Sequence, residues 1–178
     1  MLFMARLFEL NNKGEIAHIL WVCHISNLLI ALGLFLGCAE LIRISTLWLI
    51  IGAPLWPIDI LRTGVMEPTS FGTHYAGLLI GLFLILREKG MGKYSWIYAS
   101  IWFLLLQQVA RMFTPLELNI NLAHSIYPGW EQFFSGYWQY WIFTTVSSAI
   151  CLWLFSSILS WIFEKRHRAP DATGTQGS

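Results

Sequence analysis

The sequence predicts an all-α, polytopic transmembrane helical bundle of about five spans, and three observations lead there. The 178 residues are 56% hydrophobic and only 12% charged, where a soluble domain carries about 25% charged residues. Five stretches approach the roughly 20 apolar residues that cross a bilayer: Ile16 to Gly37, Thr46 to Leu61, Phe71 to Leu86, Tyr94 to Phe113 and Tyr137 to Phe163. Together they occupy most of the chain and leave no room for a separate soluble domain. The predicted organisation is an interfacial N-terminal segment over residues 1–15, a single transmembrane domain over 16–163, and a basic end with a disordered polar tail over 164–178.

Taken in order, MLFMARLFELNNKGE sets Arg6 and Glu9 in a short apolar run and has no small-residue cleavage site, so it reads as an interfacial helix and not as a signal peptide. The first span, IAHILWVCHISNLLIALGLFLG, carries His18, Cys23, His24 and Asn27 in its first half, and polar groups at such depth are expected to face protein or water. The second, TLWLIIGAPLWPIDIL, should bend and free backbone carbonyls near Pro54 and Pro57, with Asp59 at its end. In the third, Thr69 or Ser70 is placed to cap the helix, His74 enters the membrane, and Gly77 and Gly81 allow a close helix contact. The fourth stays apolar until Gln107, Gln108 and Arg111, and a polar connection holding Glu117, Asn119, Asn121, His124 and Glu131 follows. The fifth span is long enough to tilt, and its Tyr137, Trp138, Tyr140 and Trp141 read as an interfacial aromatic belt.

Loop charges orient the bundle. The N-terminal side receives Arg6, Lys13, Arg62 and at most Arg111, while the opposite side receives Arg43, Arg87, Lys89, Lys93, Lys165, Arg166 and Arg168. The positive-inside rule therefore places the C-terminus in the cytoplasm, as in a multi-pass protein of a bacterial inner membrane. A net charge of +1 and the lack of a basic patch interleaved with aromatics give no sign of nucleic-acid binding. Cys23, Cys38 and Cys151 are odd in number and lack CxxC spacing, which argues against a disulfide framework.

The polar residues of four spans and the connection lie in the half of the bundle nearest the N-terminal side, so a polar pocket opening toward that side is expected. Thiol chemistry is one candidate use. Cys23 becomes a nucleophile if a histidine stabilises its thiolate, and His74 across a helix interface is better placed than His24, whose side chain points about 100° away on the same helix. Asn27, Asn119 or Asn121 could orient the imidazole or donate to an oxyanion, and Arg111 could hold a phosphate or carboxylate head group. Asp59, Gln108, His24 and His124 complete the candidate lining. Cys23 fits equally as a buried core thiol, Asp59 as a helix-end carboxylate that reaches water or Arg62, and the glutamines as helix-to-helix hydrogen-bonding residues. Metal or haem ligation by His18, His24, His74 and His124 is a second use, although no HxxxH spacing sets two of them on one helical face. No cofactor is required by the thiol reading, and haem or metal belongs to the alternative.

The order of CHISNLLIALGLFLG, LWLIIGAPLWPIDIL, SFGTHYAGLLIGLFL and NINLAHS over Trp21 to Trp130 resembles the bacterial YwaF-type integral membrane proteins. These are similar to a eukaryotic transmembrane acyltransferase that moves acyl chains between phospholipids, and more distantly to androgen-induced membrane hydrolases of fatty-acid esters. The resemblance implies a catalytic cysteine at Cys23, a histidine at His74 and an asparagine at Asn119 or Asn121, acting on a membrane lipid. The chain departs from the family pattern at Trp21, where the family tends to have a histidine, and in PGWEQFFSGYWQYW, where a Pro-Trp-Pro-Trp-like start is expected. The other classes in play are a non-enzymatic subunit that binds haem, metal or a pigment, and an assembly subunit partnered by other membrane proteins.

Overall fold

The computed structural model describes residues 1–64, 66–87 and 90–168, and among these it contains helices and turns and no strand. Lys89 and the expected polar tail, residues 169–178, lie outside the described residues. The elements are α1 (Leu2–Lys13), a 3-10 turn (Ile16–Leu20), α2 (Val22–Leu36), α3 (Ala39–Thr63), α4 (Pro68–Phe71), a π turn (Gly72–Ala76), α5 (Gly77–Arg87), α6 (Ser95–Phe113) and α7 (Tyr137–Arg168), with three short 3-10 turns between the last two. The segment from α4 through the π turn to α5 forms one rod. Three helices are long and apolar enough to cross a membrane, over Ala39–Arg62, Pro68–Arg87 and Tyr137–Glu164, and the shorter Val22–Leu36 is also apolar.

The mast of the fold is α3, which packs against α2, α5, α6 and α7. One of its faces contributes Ile42 and Leu49 to a core with Ile30, Leu84, Ile85 and Phe163, and another contributes Ile44, Leu47 and Trp48 to a core with Ala99, Phe103 and Leu152. Two of its buried hydroxyls are satisfied within the helix: Ser45 and Thr46 donate to the carbonyls of Leu41 and Ile42, both at 2.7 Å. The helix runs through Pro54 and Pro57 without ending. Proline lacks the N–H that the carbonyl four residues earlier would receive, and for Pro57 that carbonyl belongs to Ala53. It accepts instead from the Tyr75 hydroxyl at 3.2 Å. The expectation of freed carbonyls near the prolines is met, with a named partner.

The first apolar stretch differs from its expected single span. A break at Trp21 divides it into the 3-10 turn and the 15-residue α2. Two tertiary hydrogen bonds hold the break open: the Asn121 side chain accepts from Val22 N–H at 2.9 Å and donates to the Leu20 carbonyl at 2.8 Å. The amide thus replaces the i→i−4 ladder at that corner. Ahead of it, α1 lies across the starts of α2 and α4 with Arg6 and Leu10 turned inward and Met4 and Phe8 outward. The opposing i, i+4 pairs are the two faces of an amphipathic helix.

The expected small-residue contact is also present. A Cβ on Gly77 would collide with the Asn27 amide of α2, and one on Gly81 with the Thr46 side chain of α3. Gly81→Val should therefore destabilise the fold by about 1–3 kcal/mol through overpacking, read as a lowered melting temperature in detergent. Gly136→Ala, which meets nothing within 4 Å, should leave it unchanged, and equal melting temperatures for the two variants would contradict this packing.

Candidate functional site: a thiol and two imidazoles under a paired arginine

Cys23 of α2 meets His74 of the π turn at a notch made by Gly52 of α3. A Cβ on Gly52 would lie 2.6 Å from the Cys23 sulphur and 3.8 Å from Cδ2 of His74. The sulphur requires glycine there, while the His74 ring would be in ordinary contact with the same point. Cys23 stands in the first turn of α2. Asn27 does not face a ligand: its amide donates to the carbonyls of Cys23 and Thr73, each at 2.8 Å, and ties α2 to the π turn.

His74 is oriented through its Nδ1, which lies 2.8 Å from the Ser70 carbonyl. A carbonyl can only accept, so Nδ1 carries the proton and Nε2 of the uncharged ring keeps its lone pair. The Trp56 indole stacks against the ring with centroids 5.5 Å apart, and its N–H donates to Ser70 Oγ at 2.9 Å. The carbonyl thus takes the orienting role expected of Asn119 or Asn121. A π turn widens the helix by one residue per turn and is often found at functional sites; here it spans Gly72–Ala76 and carries His74.

His24, 3% exposed, lies beside His74 with ring centroids 6.2 Å apart and the planes inclined at 73°. Its Nε2 accepts from Arg6 Nε at 3.3 Å. Arg6, itself 6% exposed, is paired in turn with Glu67 and with Glu9, and donates to Thr69 Oγ1. Lys13 closes the group on Glu9 at 3.0 Å and Glu67 at 2.5 Å, and the Thr69 hydroxyl donates to Glu9. Two cations and two carboxylates cancel, so a buried guanidinium is brought to the imidazoles without a net buried charge.

The remaining expected residues form a second cluster. Gln107, fully buried, donates to the Asn121 carbonyl at 2.8 Å and accepts from the Trp141 indole at 3.1 Å. Arg111 donates to the Ala123 carbonyl at 2.9 Å and to the Tyr137 hydroxyl at 2.7 Å, with exposed Gln108 accepting at 3.3 Å. The Thr114 hydroxyl donates to Ala110, so the His124 ring, 3.1 Å away, donates to Thr114 from Nε2. Asn119 accepts from the N–H groups of His124 and Ser125. These groups fasten the 114–136 connection to α6 and α7. Asn119 and Asn121 have left-handed φ of 43° and 55°, which asparagine tolerates better than most residues. Asp59 is exposed on α3, and Arg62 sits over the Tyr127 ring at 4.4 Å. The expected polar half is therefore two clusters joined at the Trp21 corner. Among the described residues, no group of three or more His, Cys, Asp or Glu is arranged to hold a metal ion.

Sequence reasoning missed Arg6, Glu9, Glu67 and Thr69 as one group, and Gly52, Trp56 and Ser70 as the setting of His74. A legible signal existed for the first: Arg6, Glu9 and Lys13 fall at i, i+3 and i+7, one face of a helix.

The ion-pair group makes the seat of α1 sensitive to pH. The Thr69 hydroxyl foremost, and then Lys13 and Arg6 against the opposing effect of burial, hold the Glu9 carboxyl down at about 2 from its ordinary 4.5. Burial pushes Glu67 up, but Lys13 and Arg6 outweigh it and its pKa too is lowered. A carboxyl depressed in the folded state stabilises fully above its unfolded value and loses that contribution as pH falls through its folded value. A spin label at Asn12, with Cys23, Cys38 and Cys151 replaced by serine, should thus stay ordered at pH 5 and become mobile toward pH 2. Thr69→Val should move the transition to higher pH, and a label equally ordered at both extremes would contradict the arrangement. At the Trp21 corner, Asn121→Ala leaves the Val22 N–H and the Leu20 carbonyl without partners, each such loss costing about 1–3 kcal/mol; the unfolding midpoint in a denaturing-detergent titration should drop, while exposed Gln108→Ala should not move it.

No family profile, no curated protein sequence and no solved structure matches this chain, so its functional reading rests on these side chains and their geometry.

Proposed function

We propose that the chain is a multi-pass membrane protein of about five spans, its C-terminus cytoplasmic, that transfers or hydrolyses the acyl ester of a membrane lipid through Cys23. The observation that carries this reading is the shared notch at Gly52, where the Cys23 sulphur and the His74 ring converge while Ser70 holds the ring as the Nδ1–H tautomer. A histidine so held offers Nε2 as a base to a neighbouring nucleophile, the arrangement that activates serine and cysteine nucleophiles on unrelated folds.

In the proposed first half-reaction, the Cys23 thiol gives its proton to His74 Nε2 and the sulphur attacks the ester carbonyl. The carbon–oxygen bond to the leaving lipid then breaks, and His74 returns the proton to that oxygen, leaving a thioester on Cys23. The backbone N–H of Cys23, in the first turn of α2, is the candidate donor to the developing oxyanion. Met4 and Phe8 on the outer face of α1 suit a helix lying at a lipid surface beside this site.

Intact-mass analysis of the purified protein after incubation with phospholipid tests the reading. An acyl-sized mass increase that hydroxylamine removes, and that Cys23→Ser abolishes while the protein stays folded, is expected. An unmodified mass in the wild type, or an adduct that persists in Cys23→Ser, would overturn it.

A further inference from the structure

Two nitrogen atoms at the site lack hydrogen-bond partners, and their chemistry is opposite. His24 Nε2 accepts from Arg6, so the uncharged ring carries its proton on Nδ1, and that atom is fully enclosed with no partner. His74 donates from Nδ1 to Ser70, which leaves Nε2 an acceptor, and among the described residues nothing donates to it. A buried donor without a partner costs about 1–3 kcal/mol, so a group able to meet it is expected. The rings are neighbours, their centroids 6.2 Å apart and their planes inclined at 73°, so one small group can serve a nitrogen of each. An oxygen that accepts from one imidazole and donates to the other is a hydroxyl.

We propose that His24 and His74 together bind one hydroxyl group, of water or of an alcohol, with His24 Nδ1–H donating to its oxygen and His74 Nε2 accepting its proton. A carboxylate or phosphate oxygen could accept from His24 but has no proton for His74. A metal ion would meet a protonated nitrogen at His24. Arg6 takes part by fixing the His24 tautomer, and is a positioning residue; the paired carboxylates Glu9 and Glu67 keep its guanidinium turned toward the ring.

The role of this hydroxyl rests on the acyl-transfer reading: it is the acyl acceptor of the second half-reaction. Its oxygen attacks the Cys23 thioester, the new carbon–oxygen bond forms as the carbon–sulphur bond breaks, and its proton passes to His74 Nε2 and then to the Cys23 sulphur. Water gives a free fatty acid. A lipid alcohol gives a new ester.

The test is imidazole nitrogen NMR of the full chain, labelled with 15N-histidine, in phosphatidylcholine nanodiscs with and without monooleoylglycerol. The His74 Nε2 resonance should sit at the position of a hydrogen-bonded acceptor, move toward that of a free acceptor in His24→Phe, and return in His24→Gln, which keeps an N–H donor. The reciprocal His74→Phe should move His24 Nδ1, so the pair stays testable if one variant fails to fold. Resonances of both nitrogens that respond to monooleoylglycerol identify the hydroxyl as an alcohol; water cross-peaks to both, unmoved by it, identify water. A His74 Nε2 resonance indifferent to His24→Phe, or a His24→Gln spectrum equal to that of His24→Phe, would overturn the proposal. The hydroxyl site is read from the histidine nitrogens and the thioester from the intact mass, so the two stand or fall separately.

Discussion

A guanidinium that is 6% exposed and 3.3 Å from an imidazole is the constraint on which the N-terminal half depends. An isolated buried charge is among the costliest features a fold can contain, and here the cost is offset by drawing Glu9 from the same helix and Glu67 from the start of the next rod onto one guanidinium. That requirement explains why α1 lies where it does. It also sets the tautomer of His24, and through the adjacent ring the surroundings of His74.

The second constraint is α3. It carries two cores on two faces while containing two prolines, and it does so because its hydroxyls bond within the helix and because Tyr75 takes over the carbonyl that Pro57 leaves without a partner. The same helix supplies Gly52, so the residue that admits Cys23 and His74 to one point is fixed by the most extensively packed element of the fold. A site built on such an element is held more closely than one built on a loop. The 114–136 connection serves a different end. Asn121, Gln107 and Arg111 secure it to α6, α7 and the Trp21 corner, and the corner in turn fixes where α2 begins and hence where Cys23 stands.

Much of this was legible in the sequence, for physical reasons that can be named. Apolar runs located α3, α5 and α7, because burial in lipid or core needs the same residues; Gly77 and Gly81 at i, i+4 announced a close helix contact; and the clustering of Cys23, His24 and Asn27 within a turn follows from helix geometry alone. What could not be read was set by tertiary partners. The break at Trp21 depends on Asn121, a hundred residues away, and a local pattern shows only an unbroken apolar run. Asn119 and Asn121 drew attention as polar residues near the membrane, yet their left-handed backbone and their bonds to main-chain groups make them builders of the connection. The Ser70 carbonyl is invisible to any reading of side chains, since every residue has one.

The most direct measurement of the central claim, that Cys23 and His74 act as a thiol–imidazole pair, is the rate at which a membrane-permeant alkylating agent modifies Cys23 in bilayers, with Cys38 and Cys151 replaced by serine. A thiolate favoured by the imidazole reacts faster than an ordinary buried thiol. The account predicts that His74→Gln slows modification by about tenfold or more, corresponding to about 1.4 kcal/mol of lost stabilisation, while the fold is retained. Equal rates in the two proteins would show that the imidazole does not act on the sulphur, and would contradict it.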